Sequence, residues 1–310
     1  MNRLSQLGLR IPTKSKFCSS NLTKVFFDYQ KETCIMLLNN PKAFNALDLE
    51  MLEIIDQELK SWEKNNDYPK NLIIKSDHPK AFCAGGDIVT LLHMYNNNAP
   101  EKEMLQFFKT EFEVDYKLAN LGSKGVNTFA LWDGIIMGGG VGLSSGCQYK
   151  VASEKTLYAM PETRIGLFVD VAISFYLTKL ENNLGRYLAV VGQRLKGGDV
   201  FLSGLANAFV PHSEMGELEE MIINSGEKEV QEFMEQRGNY EVSNIGEMID
   251  WVAFNCVVKE VFLKMGEDVR KVISAHEDVL SRLEDNKLDF SQLLDGFSHI
   301  IPGKFSKSKV

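Results

Sequence analysis

The sequence has little from which to build a disulfide framework, a metal centre or a membrane span. Its five cysteines (Cys18, Cys34, Cys83, Cys147 and Cys256) are odd in number and widely scattered, and no two form a C-x-x-C pair. Neither a cystine scaffold nor a zinc site is indicated, and buried reduced thiols are the reading. The five histidines fall in no motif, so a Ser-His-Asp triad or a metal site has nothing to anchor it. No apolar run approaches the roughly 20 residues that a bilayer-spanning helix needs. Basic charge is also short: the formal net charge of −8 argues against a broad DNA-binding face, which requires clustered Lys and Arg. There is no G-x-x-x-x-G-K-[ST] phosphate loop, no internal repeat and no low-complexity segment. What remains is ordinary globular composition over 310 residues, enough for a sizeable core in one domain or two.

Charge is unevenly placed. Residues 1–20 carry Arg3, Arg10, Lys14 and Lys16 with several Ser and Thr, and the first acid is Asp28. That pattern is expected of a mitochondrial presequence and directs the protein to the mitochondrial matrix; the apolar core of a secretory signal is missing. The last residues, 304–310, form a basic tail expected to fray.

Hydrophobic periodicity predicts the framework of the chain. The runs V-F-F-D-Y from Val25 and C-I-M-L-L from Cys34, separated by Gln30-Lys31-Glu32, read as a hairpin of strands. After Asn39-Asn40-Pro41, Asp48 is placed to cap a helix whose apolar residues Met51, Leu52, Ile55, Leu59 and Trp62 recur at helical spacing. A strand is expected at 72–75, a largely polar helix at 101–121 and a strand at 129–132. Strand, loop, helix, strand is the order of an α/β fold with mostly parallel pairing. Past about Leu180 strand signals are expected to stop, giving way to helices such as the one suggested by Val257, Val261, Leu263 and Val269. The division expected is a presequence at 1–20, a core domain at 21–210, a helical region at 211–303 and the tail.

Two glycine-rich turns each follow a predicted strand: A-F-C-A-G-G-D at 81–87 and M-G-G-G-V-G at 137–142. Glycine permits backbone angles closed to other residues and lets a ligand approach the main chain. A turn of this kind that opens a helix points free N–H groups outward toward an anion or a developing oxyanion. A dinucleotide fingerprint fits poorly, because the place of its third glycine is taken by Ser145. Glycines used only for tight packing would explain either turn alone better than both together.

At these residues the sequence resembles a known family. P-K-A-F-N-A-L (41–47), the A-F-C-A-G-G-D turn, the M-G-G-G-V-G-L-S turn and M-P-E-T-R-I-G-L-F-V-D (160–170) occur in the order of the crotonase (enoyl-CoA hydratase/isomerase) superfamily, over about two thirds of the chain. The resemblance implies a ββα spiral core with a helical C-terminal region. It also implies an acyl-CoA substrate whose thioester oxygen is held by the main-chain amides of Gly86 and Gly139, with no further cofactor required. Hydratases of the family carry a glutamate where this chain has Gly142, whereas Glu162 with Asp170 matches the 3-hydroxyisobutyryl-CoA hydrolase branch, as do R-L-K-G-G-D-V (194–200) and G-L-A-N-A-F-V (204–210).

The expected chemistry is therefore hydrolysis of a short-chain acyl-CoA thioester, most simply 3-hydroxyisobutyryl-CoA in valine breakdown. Glu162 is expected as nucleophile or general base and Asp170 as its partner, one of the pair having its pKa raised toward neutrality by burial and proximity. By the same resemblance Ala43, Phe44 and Ala84 face adenine and pantetheine, with Lys42 or Lys80 near phosphate; solvated lysines are the bland alternative.

The chain departs from that branch in several places. Val171-Ala172-Ile173 stand where consecutive glycines are usual after a valine, Val169 replaces a proline, and the long C-terminal helical segment of the hydrolases is absent or rewritten. These departures support an alternative of another class: a non-catalytic, hydrolase-derived subunit of the mitochondrial ribosome small subunit, whose basic tails would touch RNA. Assembly is expected as a homo-oligomer or as part of such a larger particle.

Overall fold

The computed structural model describes residues 24–180 and 184–237. The presequence, the region beyond 237 and the tail, with their expectations, lie outside the described residues.

The expected hairpin forms: β1 (Val25–Gln30) pairs antiparallel with β2 (Thr33–Leu38), Val25 opposite Leu38. The helix α1 (Leu49–Asn65) begins where Asp48 Oδ1 accepts from the Met51 amide at 2.9 Å. Its buried face is the expected stripe Met51, Leu52, Ile55, Leu59 and Trp62, with Asp56 added and held by Lys60 and Lys117.

From β3 (Asn71–Ser76) onward the chain lays one strand in each of two sheets and then crosses back through a helix. The first pass gives β3, β4 (Ala81–Cys83), α2 (Ile88–Asn96) and α3 (Glu101–Ala119). The second gives β5 (Asn127–Trp132), β6 (Ile135–Met137) and α4 (Gly139–Ser145). The third gives β7 (Tyr149–Ala152), β8 (Leu157–Ala159), α5 (Ile173–Leu177) and α6 (Leu184–Val191). The chain then places β9 (Leu195–Lys196), α7 (Gly198–Leu202) and β10 (Ala208–Phe209), followed by α8 (Met215–Asn224) and α9 (Glu227–Arg237). The large sheet has the order β1-β2-β3-β5-β7-β10, parallel after the first pair; the small sheet has the order β4-β6-β8-β9. This is the spiral of ββα units that the resemblance implied.

Both faces of the large sheet are covered, so its strands read as continuous apolar runs and do not alternate. Cys34, Met36, Leu72 and Ile74 point into the core shared with the small sheet, which contains Phe82, Trp132 and Tyr158. Ile35, Ile73, Phe129 and Val151 point to the other side, where α8 and α9 cover them with Leu218, Ile222, Val230 and Phe233.

Two expectations need correction. Strands do not stop at Leu180: β9 pairs antiparallel with β8, and β10 pairs parallel with β7. Each is two residues long, too short to leave a period in the sequence, and β10 is set by its neighbours. The side chain of Asn207 bridges to the start of β7, accepting from the Lys150 amide at 2.7 Å and donating to the Gln148 carbonyl at 2.6 Å. The sequence reading also had no helix at 88–96. There α2 is capped by Asp87, which accepts from the Thr90 amide, and Ile88, Leu91, Leu92 and Tyr95 recur at helical spacing, although none of its residues is buried.

Two local conformations hold the loops in place. Asn45, fully buried with φ 56°, accepts from the Asn40 amide at 2.7 Å and donates to Ser76 Oγ at 2.6 Å and the Phe82 carbonyl at 3.0 Å, tying the P-K-A-F-N-A-L turn to β4. Val171 and Ala172 both adopt left-handed backbone, φ 47° and 57°. The conformation that glycines would favour is thus retained without them, at a cost of about 1–2 kcal/mol per residue. Ala172 is exposed, so Ala172→Gly should raise stability by about 1 kcal/mol, read as a higher denaturation midpoint. Asn45→Ala should lower it by about 2–4 kcal/mol, because buried backbone groups lose their partners and alanine is strained at that φ.

Candidate active site

The small sheet decides where the site is. Its strands β4, β6 and β8 are adjacent and parallel, with Ala81 opposite Ile135 and Met137 opposite Ala159. Their carboxyl ends therefore emerge side by side: β4 runs into Gly85-Gly86, β6 into Gly138-Gly139, and β8 through Met160-Pro161 into Glu162. Loops at the carboxyl ends of parallel strands form a ready-made crevice.

The first turn is stitched to the chain before it. The Leu47 amide donates to the Gly85 carbonyl and the Asp87 amide to the Leu47 carbonyl, both at 2.7 Å, while the Ala84 amide donates to the Phe44 carbonyl at 3.0 Å. In the second turn the amides of Val141 and Gly142 return to the Gly138 carbonyl. Among the described residues none accepts a hydrogen bond from the amide of Gly86 or of Gly139. The two glycines lie together: a Cβ on Gly139 would stand 3.2 Å from the Gly86 nitrogen and 2.2 Å from Glu111 Oε1, and a Cβ on Gly138 would stand 3.0 Å from Glu162 Oε1. A side chain at Gly139 would have to displace the Glu111 carboxylate and crowd the Gly86 amide.

Four carboxylic acids gather here. Glu162, 7% exposed, opens a 3-10 turn at the end of β8, and Asp170, partly buried, follows on the same loop. Glu111 and Asp115 come from the inner face of α3, 3% and 6% exposed. Burial pushes Glu162 up to about 7, the neighbouring Asp170 adding to the effect and its own backbone amide opposing it. Burial likewise raises Asp170 to about 6. Glu111 and Asp115 rise well above the usual carboxylate range, from burial first and then from the charges of their acidic neighbours. The charged groups acting on all four are themselves acids, so the cluster holds protons at neutral pH.

The sequence reading singled out Gly86, Gly139, Glu162 and Asp170, and the fold brings all four to one place. It missed Glu111 and Asp115. A signal existed: both fall in register with the apolar positions Phe107, Val114 and Leu118, the i, i+4, i+7, i+8, i+11 stripe of a buried helix face, where an acid is expensive without a purpose. Gly142 leaves room beside this pair, since a Cβ there would meet Asp115 Oδ2 at 2.7 Å and Val171 at 2.4 Å.

The residues expected to face coenzyme A lie on the adjoining rim. Phe44 is 42% exposed and packs on His78 with ring centroids 5.1 Å apart. Ala43 and Ala84 are half-buried beside it, and Lys42 and Lys80 are exposed, taking part in no ion pair among the described residues. A metal is not indicated by the donor set: no group of three or more His, Cys, Asp or Glu among the described residues is arranged to hold one.

Comparison with known proteins agrees with this architecture. Residues 33–289 match the enoyl-CoA hydratase/isomerase family. The chain is similar to the mitochondrial 3-hydroxyisobutyryl-CoA hydrolase of Dictyostelium discoideum, 36% identical over 72% of this chain and 59% of that protein. It is also similar to that of Gallus gallus, 34% identical over 84% of this chain and 70% of that protein. The first match thus spans less than two thirds of its relative's length. Among solved structures it is similar to a carnitinyl-CoA dehydratase from Mycobacterium thermoresistibile, with a TM-score of 0.65 and 26% identity over 74% of this chain and 65% of that one. A glycine pair at neighbouring strand ends, an acid after the third strand and these relatives lead to one assignment: the chain belongs to the enoyl-CoA hydratase/isomerase (crotonase) family, on its 3-hydroxyisobutyryl-CoA hydrolase branch.

Proposed function

We propose that this chain hydrolyses a short-chain acyl-CoA thioester, with 3-hydroxyisobutyryl-CoA as the substrate and the mitochondrial matrix as the site of action. The observation that carries the reading is the meeting of two main-chain amides, Gly86 and Gly139, that have no acceptor among the described residues with a buried carboxyl cluster that contains no cation. The thioester oxygen would accept from the two amides as it gains negative charge, a contribution of a few kcal/mol per donor, about 3 for each. Glu162, close to half ionised near neutrality, is suited either to take a proton from the attacking water or to attack the carbonyl carbon itself and form an anhydride that water then cleaves. In both routes the C–S bond breaks, water supplies OH to the acyl carbon, and the thiol leaves with a proton. Asp170 orients the hydroxyl of the acyl group or the water, and the rim of Lys42, Ala43, Phe44, Lys80 and Ala84 holds the coenzyme A portion.

A purely structural role in a ribosomal subunit gives no reason to bury four acids against each other, because each costs free energy that an apolar side chain would not. The carboxylate cluster therefore favours the enzyme over the scaffold.

Purified protein should release free thiol from 3-hydroxyisobutyryl-CoA, and Glu162→Gln should lower kcat by about 100-fold or more. Undiminished turnover in that variant would remove Glu162 from the mechanism, and no turnover in a folded parent would remove the hydrolase. Because Glu162 acts as the anion, kcat/KM should rise with pH to a plateau with its midpoint near 7.

Stability should run the other way. Folded Glu162 and Asp170 keep their protons to higher pH than the unfolded chain does, so the folded state binds more protons between about pH 4 and 7. Their favourable effect is complete below about pH 4 and is lost as pH rises through 6 to 7, and the denaturation midpoint should be higher at about pH 5 than at about pH 8. Glu162→Gln should flatten that slope.

A further inference from the structure

Among the described residues, four buried side-chain oxygens have no hydrogen-bond partner, and all belong to the active-site region: both of Asp115, Oη of Tyr158 and Oε2 of Glu162. Buried polar groups a few residues away are satisfied. Trp132 Nε1 donates to Ser144 Oγ at 2.9 Å, Ser144 Oγ to the Gly140 carbonyl at 2.9 Å, and Thr156 Oγ1 to the Trp132 carbonyl. Orphaned groups are rare enough in folded proteins that a cluster of them marks a place where something other than packing is served.

Two of these orphans are chemically complementary. Tyr158 carries an O–H with no acceptor, and Glu162 Oε2 is an acceptor with no donor. Tyr158 lies on β8, the strand that delivers Glu162, and is fully enclosed in the core with the Trp132 ring centroid at 6.2 Å. The Glu162 carboxylate acts on the phenol electrostatically. The charged groups acting on Glu162 are acids and not cations: α3 contributes Glu111, and its own loop contributes Asp170. Besides the backbone amide of Glu162 itself and any protonated neighbouring carboxyl, Tyr158 offers a neutral donor on the strand that leads to it.

We propose that Tyr158 is a positioning residue for Glu162: its phenol donates to Oε2 after a small side-chain rotation, and so directs Oε1 toward the glycine turn at Gly138. The other oxygen already stands 3.0 Å from where a Gly138 Cβ would be, so anchoring Oε2 leaves Oε1 free for the water or the acyl carbon. A hydrogen bond from a neutral donor to an ionised acceptor is stronger than one between neutral groups, and it favours the carboxylate over the acid. This inference rests on the reading of Glu162 as the reacting carboxylate.

Tyr158→Phe tests it, since only the hydroxyl is removed. Loss of that one hydrogen bond should lower the melting temperature slightly while the protein stays folded. With glutamate carboxyl carbons labelled and the Glu162 signal assigned by its loss in Glu162→Gln, an NMR titration should show the Glu162 midpoint move to higher pH in Tyr158→Phe. The rising limb of kcat/KM should move with it, and kcat should fall by about tenfold with KM nearly unchanged. A Glu162 titration identical to the parent's would overturn the inference. The titration needs no turnover, so a protein that hydrolyses nothing but shifts its Glu162 signal would sink the proposed reaction and leave the Tyr158–Glu162 contact standing.

Discussion

Everything at the candidate site depends on the parallel pairing of three short strands, β4, β6 and β8. Each has three residues, and none would persist outside the sheet. Held in register against the large sheet by Phe82, Ile136 and Tyr158, they bring three separate chain reversals to one edge. Two of those reversals are glycine-rich, and a Cβ at Gly139 would crowd both the Gly86 amide and the Glu111 carboxylate. The third supplies Glu162. Moving one strand by one residue would turn its side chains to the opposite face and separate the glycines.

Against that framework the electrostatics are one-sided. Glu111, Asp115, Glu162 and Asp170 face one another with no cation among them, and burial raises the pKa of each. Elsewhere the chain pairs its partly buried acids with lysines, as at Asp56 with Lys60 and Lys117, or at Glu219 with Lys75. Mutual burial of unpaired acids is the condition under which a carboxylate changes protonation near neutral pH.

The loop that carries Asp170 shows how the fold tolerates departure from its relatives. Side chains at Val171 and Ala172 occupy left-handed backbone, and the Val171 side chain fills the space left open by Gly142. The loop keeps its path because Ile173 and Leu177 of α5 are buried immediately after it, and this packing outweighs the torsional strain of two residues.

Much of this was legible in the residues alone. The Asp48-capped helix, the first hairpin and the two glycine turns each leave a local mark, since capping, alternation and positive φ are properties of neighbouring residues, whereas the Glu162–Asp170 pair was legible only through the family resemblance. β9 and β10 left none, because two residues have no period and their pairing is decided by Leu157, Tyr158, Val151 and Ala152 far away in sequence. Helix α2 did leave a mark, Asp87 ahead of Ile88, Leu91, Leu92 and Tyr95 at helical spacing, which the sequence reading passed over. Glu111 and Asp115 share the apolar stripe of α3, a signal passed over because the helix is polar overall, and Tyr158 looks like one more core aromatic until its hydroxyl and the Glu162 carboxylate are both found unpartnered. The sequence by itself determined which turns and caps form, because those are local energies. Only the tertiary structure decided which acids are stripped of water and set against one another, because desolvation depends on what every distant segment covers.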